Sequence, residues 1–109
     1  MKELINQHDA EGRRHGLWED YYPDGTLWGR AHYHHGKWHG VWEGYWGNGT
    51  LWWRVHFHHG REHGVSEWYR SDGTLGSREH WHHGVRKGLT KRWGPQGRCT
   101  LKAYHLVIR

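Results

Sequence analysis

A chain of 109 residues suffices for one domain but not for a deep core, and its apolar bulk comes mostly from 10 Trp, 6 Tyr and 1 Phe. The 16 Lys and Arg against 11 Asp and Glu give +5 at neutral pH, and the 14 His add charge below about pH 6.5, which favours an anionic partner. The single cysteine, Cys99, excludes an internal disulfide, and no apolar run reaches the length of a signal-peptide core or a membrane span, so a cytoplasmic protein is expected.

In chain order, residues 3–9 read as half of a repeat whose full 24-residue copies occupy 10–33, 34–57, 58–81 and 82–105, with a last strand over 100–109. The two middle copies agree at 13 of 24 positions, and Gly recurs at 12/36/60/84, 16/40/64/88 and 25/49/73/97. Each copy holds two aromatic-rich runs, such as Leu17 to Tyr22 and Leu27 to Tyr33, bounded by turn residues. The expectation is one all-β domain of tandem antiparallel β-hairpin repeats.

Pro23-Asp24-Gly25 suits a three-residue loop, a type I turn followed by Gly in the left-handed region, and Gly47-Asn48-Gly49, Ser71-Asp72-Gly73 and Pro95-Gln96-Gly97 are its equivalents. A two-residue reading would instead set Glu19 across from Arg30, Glu43 from Arg54 and Glu67 from Arg78. The aliphatics favour the first, which pairs odd positions with odd: Leu17, Leu27, Val41, Leu51, Val55, Val65, Leu75, Val85, Leu89 and Leu101 are all odd-numbered. The odd face is therefore expected to be the core. Tyr21, Tyr45, Tyr69, Trp93, Tyr33, Phe57 and Trp81 join it, with Cys99 as a small buried hydrophobe. The even face then carries Trp18, Trp28, Trp42, Trp46, Trp52 and Trp68 together with Arg30, Arg54, Arg78 and Lys102 and with His32, His56 and His80.

The pattern Gly-x-x-His-Gly-x-Trp-Glu-x-Tyr-x-x-Asp/Asn-Gly-Thr-Leu, clearest over Gly36 to Leu51 and Gly60 to Leu75, resembles the MORN repeat in its bacterial, antitoxin-like variant form. The resemblance implies hairpins stacked into an elongated, twisted single sheet. It also implies a scaffold that binds protein, or an antitoxin or immunity protein. The fourth copy departs from the pattern at Lys87, Lys91 and Gln96 to Cys99, as a terminal capping copy would.

Trp18, Trp28, Arg30, His32, Trp42, Trp46, Trp52, Arg54, His56, Trp68, Arg78 and His80 are the candidate partner-binding residues, competing with a reading in which Arg and Trp merely stack on one another. The expected partner is a protein with an acidic contact surface, a toxin or a defence effector. Nucleic acid lying along an arginine rail, with bases stacked on Trp, is the alternative. A membrane partner has no amphipathic helix to recommend it, and a homodimer through Leu106-Val107-Ile108 is a further option. His34/His35, His58/His59 and His82/His83 read as polar turn residues, so no metal or cofactor is expected. No asymmetric constellation suggests catalysis: Glu19, Glu43 and Glu67 recur as a structural slot.

Overall fold

The computed structural model describes residues 4–106, and within them the regular structure is entirely β. The strands are β1 (Gln7–His8), β2 (Arg14–Tyr21), β3 (Leu27–His34), β4 (Lys37–Tyr45), β5 (Leu51–His58), β6 (Arg61–Glu62), β7 (Gly64–Tyr69), β8 (Leu75–His82), β9 (Val85–Arg86), β10 (Gly88–Trp93) and β11 (Cys99–His105). They form one antiparallel open sheet in the order β1-β2-β3-β4-β5-β7-β8-β10-β11, with β6 on β5 and β9 on β8. The layer measures 45 × 41 × 22 Å. No helix is long and apolar enough to cross a membrane among these residues. Val107 and Ile108, part of the expected dimer strand, lie outside the described residues.

Each hairpin closes as its turn residues dictate. Tyr22 N–H donates to Thr26 O at 2.8 Å and Gly25 N–H to Tyr22 O at 2.9 Å, while Asp24 accepts from both the amide and the hydroxyl of Thr26. Gly25 sits at φ 90°, which a side chain would disfavour. Asn48 and Asp72 lock Thr50 and Thr74 in the same way. This is the three-residue loop expected from the sequence.

The parity argument nevertheless fails, because a second irregularity follows the loop. Tyr21 pairs with Leu27, but the next partners are Asp20 and Gly29, so Trp28 is an extra residue bulged out of β3. The same step occurs between Tyr45/Leu51 and Gly44/Trp53, between Tyr69/Leu75 and Trp68/Ser77, and between Trp93/Cys99 and Arg92/Leu101. Beyond each bulge, even positions of the first strand face odd positions of the second. Glu19 lies opposite Arg30, Glu43 opposite Arg54 and Glu67 opposite Arg78, as the two-residue reading would have had it.

The sheet therefore has an aromatic face and a charged face, and neither is the odd face. Cross-strand neighbours Trp18, Ala31, Trp42 and Val55 share one side with Gly29, Gly44, Trp53 and Trp68. Tyr33, Trp38 and Phe57 continue it. The tightest cluster is Trp53, Val55 and Phe57, with Trp42 and Trp52 against it. Leu17, Val41 and Val65, expected in this core, lie opposite His32, His56 and His80 on the charged side. Cys99, expected to be buried, is exposed.

Between repeats the chain reverses through two-residue turns in which His35/Gly36, His59/Gly60 and His83/Gly84 all have positive φ, as a type I′ turn requires. Past each turn, Tyr33 pairs with Trp38 but Ala31 with Trp42, so the strand bends where Gly40 takes φ 80°. The turn then leans on the preceding repeat: Gly36 N–H donates to Arg14 O, Gly60 to Trp38 O and Gly84 to Glu62 O.

Candidate binding surfaces

The expected single surface of Trp, Arg and His is split by the bulges into two surfaces on opposite sides of the sheet. Trp18, Trp42 and Trp68 reach the aromatic face by strand alternation. Trp28 and Trp52 reach it as bulge residues, packing against Trp53 with ring centroids 5.9 and 4.9 Å apart. Trp46 stacks on Trp52 at 3.9 Å and donates its indole N–H to Tyr69 O at 3.0 Å.

Trp53, which was not among the candidates, is the hub. It is 6 % exposed and also meets Trp42 at 5.0 Å and Trp68 at 5.7 Å. Gly29 and Ser77 fill its slot in the neighbouring repeats. The signal that marks it is the Gly at position 44, cross-strand from a Trp, a small residue making room for a large one. Trp38, also missed, stacks on Trp42 and packs on Phe57 at 4.9 Å while staying 37 % exposed. Trp28 and Trp68 are comparably open.

On the same face the aromatic layer gives way to a cleft of about 580 Å³ lined by Ser66, Trp68, Arg70, Glu79, Trp81 and Arg86 among others. Ser66, fully buried, accepts the indole N–H of Trp81 at 2.9 Å, and Glu79 pairs with Arg86 at 3.4 Å. Burial and the Glu79 carboxylate push Glu62 above the usual carboxylate range, with Arg86 opposing. Ionised Glu62 therefore costs stability, absent in acid and fully present once pH exceeds its raised folded value. Glu62→Gln is expected to raise the thermal midpoint at pH 7 by about 2 °C and to leave it unchanged at pH 3, measured by circular dichroism.

The charged face carries Arg30, Arg54 and Arg78, but none is a free cation. Arg54 meets Glu43 at 2.7 Å, Arg78 meets Glu67 at 2.9 Å and Arg30 meets Glu19 at 3.6 Å. The glutamates and arginines alternate across the strands into one ladder that ends on Arg78, Lys91 and Lys102. The hydrogen bond from Arg54 to Glu43 holds the guanidinium above its usual pKa, and that from Tyr21 to Glu19 at 2.6 Å does the same for the phenol. His56 is held through Nδ1 on Val65 O at 2.8 Å. Among the described residues, Arg stacks on Trp as Arg14 over Trp18, Arg78 over Trp93 and Arg86 over Trp81.

A third feature runs along the edge formed by the inter-repeat turns. His15, His34, His35, His39, His58, His59, His63, His82 and His83 make a continuous chain of ring contacts with centroids 4.1–6.1 Å apart. His32, close in sequence to His34 and His35, lies opposite Leu17 on the charged face. The residue that joins them is His15 of the preceding repeat, whose Nδ1 accepts the His35 amide at 3.1 Å. Partial burial and the neighbouring imidazoles lower the pKa of His34, and the charges of His59 and other neighbours lower that of His58.

Among the described residues, His15/His34/His35, His63/His82/His83 and Asp9/Glu11/His35 each bring three possible ligand atoms within 4.8 Å of one another. Asp9 is deep in its own network, accepting from His35 Nδ1 at 2.7 Å, from Arg13 Nε at 2.9 Å and from the amides of Glu11 and Arg13. Burial opposes its ionisation, but these bonds hold it well below the usual carboxylate range.

Compared with known proteins, residues 14–35 match the MORN repeat variant family model. No curated protein and no solved structure gives a significant match. The matched segment contains β2, its hairpin loop, the bulge at Trp28 and β3, and that unit recurs in register along the sheet. Residues 14–35 are thus similar to a MORN repeat of the variant type and form one unit of an all-β repeat sheet.

Proposed function

We propose that this chain is a non-enzymatic protein-binding module whose aromatic face docks a partner protein. The observation that carries the reading is the grouping of Trp28, Trp38, Trp42, Trp46, Trp52, Trp53 and Trp68 on one side of a single-layer sheet. Trp28, Trp38 and Trp68 are the anchors, because each is 36–39 % exposed while its inner edge is held by the cluster. Large, rigid, half-exposed aromatics of this kind favour binding at little entropic cost. The net charge of +5 matches a partner with an acidic rim. In its narrower form the proposal is an inhibitor or immunity-type protein that occludes a toxin or defence effector.

The alternative, nucleic acid gripped by Arg and Trp together, loses its premise. Arg30, Arg54 and Arg78 are paired with glutamates on the side away from Trp28, Trp42, Trp52 and Trp68. The test is affinity capture with identification of the bound protein, comparing Trp38→Ala/Trp68→Ala with Arg30→Gln/Arg54→Gln/Arg78→Gln. The expected result is a partner lost with the tryptophan pair and kept with the arginine triple. Loss with the arginine triple alone, or an oligonucleotide shift at low salt that this triple abolishes, would overturn the proposal.

A further inference from the structure

We propose that the histidine edge is a binding site for a divalent transition-metal ion, with His15, His34 and His35 as the ligands of the tighter of two sites and His63, His82 and His83 as those of the weaker. This inference is independent of the docking face.

The backbone does not explain these residues. A type I′ turn asks for positive φ at His35, for which Asn, Asp or Gly is the ordinary choice, and it asks nothing of His34 or His15. Imidazole is instead the common ligand for zinc, nickel and copper, and three imidazoles with an open fourth position are a familiar zinc arrangement. The ligand atoms of each trio lie within 4.8 Å of one another. Tetrahedral zinc, with bonds of about 2.0–2.1 Å, needs them about 3.4 Å apart, a closure within reach of side-chain rotation on an exposed edge.

The first trio is the better prepared. With Nδ1 of His35 on Asp9 Oδ2 at 2.7 Å, the neutral ring carries its proton there and presents Nε2 as a lone pair. Asp9 is itself pinned by Arg13 and is 5 % exposed, so it cannot swing away. The lone pair of His15 Nδ1 now accepts the His35 amide at 3.1 Å and would be given up to the ion. In the second trio the equivalent contact, His83 N–H to His63 Nδ1, is longer at 3.4 Å and costs less to give up, but Phe57 stands where the repeat would place a counterpart of Asp9, so no carboxylate fixes the ring of His83. The two sites should therefore differ in affinity. The equivalent middle group of His39, His58 and His59 does not converge as tightly.

The experiment is calorimetric titration of Zn²⁺ into the full chain at pH 7.5. Two ions of unequal affinity are expected. His15→Gln/His34→Gln should abolish the tighter one, Asp9→Asn should weaken it about tenfold, and His56→Gln on the charged face should leave both intact. Unreduced tight binding in His15→Gln/His34→Gln, or an equal loss in His56→Gln, would overturn the proposal. Should the double variant fail to fold, the wild-type chain decides by ¹⁵N spectroscopy. The ring nitrogens of His15, His34 and His35 and the His35 amide are expected to shift at the first equivalent of Zn²⁺, whereas a uniform response of all histidines would exclude a built site.

Discussion

Gly44→Val is expected to leave the protein unfolded or destabilised by at least about 3 kcal/mol, read from chemical denaturation followed by circular dichroism. A Cβ at position 44 would fall inside the van der Waals envelope of the Trp53 six-membered ring, not merely against it. The ring has nowhere to go: Trp28, Trp42, Trp52 and Trp68 surround it, and the sheet backbone lies beneath. At Gly47, by contrast, an added Cβ meets nothing within 4 Å, and its φ is not in the left-handed region. Gly47→Ala is therefore expected to cost less than about 1 kcal/mol and serves as the control.

Trp53→Ala is expected to cost about 3–5 kcal/mol, near the ceiling for deleting one large core side chain. A single-layer sheet has few side chains that bury so fully, so removing this one opens a hole at the middle of the aromatic face. The loss should also broaden the resonances of Trp42 and Trp52, which rest on it. The two substitutions are coupled. In the Trp53→Ala background Gly44→Ala should become nearly silent, since the atoms it would strike are gone, giving an interaction energy of about 1–3 kcal/mol in a double-mutant cycle. Additive costs would mean that Gly44 is needed for backbone freedom rather than for the ring above it.

The sequence made the repeat, its strands and its loops legible, because glycines at positive φ and Asp or Asn beside Thr leave little choice of turn. It did not reveal which side chains share a face. The deciding residue is the bulge, occupied by Trp28 and Trp52 in two hairpins but by Gly76 and Thr100 in the others, so no single chemistry marks it. A bulge is a backbone event, and one extra residue exchanges the two faces for everything beyond it. The recurrence of Glu19/Arg30, Glu43/Arg54 and Glu67/Arg78 carried the information, since three opposite-charge pairs at one spacing are what cross-strand neighbours would show. The aliphatic parity was the weaker guide, for Val55 ends on the aromatic side and Leu17 on the charged side.

The same limit applies to the candidate sites. Six tryptophans named from the sequence do come together, whereas the arginines and histidines named with them face away. Trp53 was masked by its slot, filled by Gly29 and Ser77 elsewhere. His15 was masked because its approach to His35 depends on each turn folding back onto the preceding repeat, a contact that spans 20 residues of sequence. Hairpin periodicity predicts neighbours within a unit and is silent on where the turn of one unit rests on the next.

Cross-strand nuclear Overhauser contacts in the second hairpin test the separation of the two faces most directly. Backbone contacts of Trp42 with Val55 and of Glu43 with Arg54 are expected, together with the pairing of Tyr45 with Leu51 on the turn side of the bulge. Contacts of Val41 with Val55 and of Glu43 with Trp53 would mean that the bulge at Trp52 is absent and that Trp and Arg share a face after all.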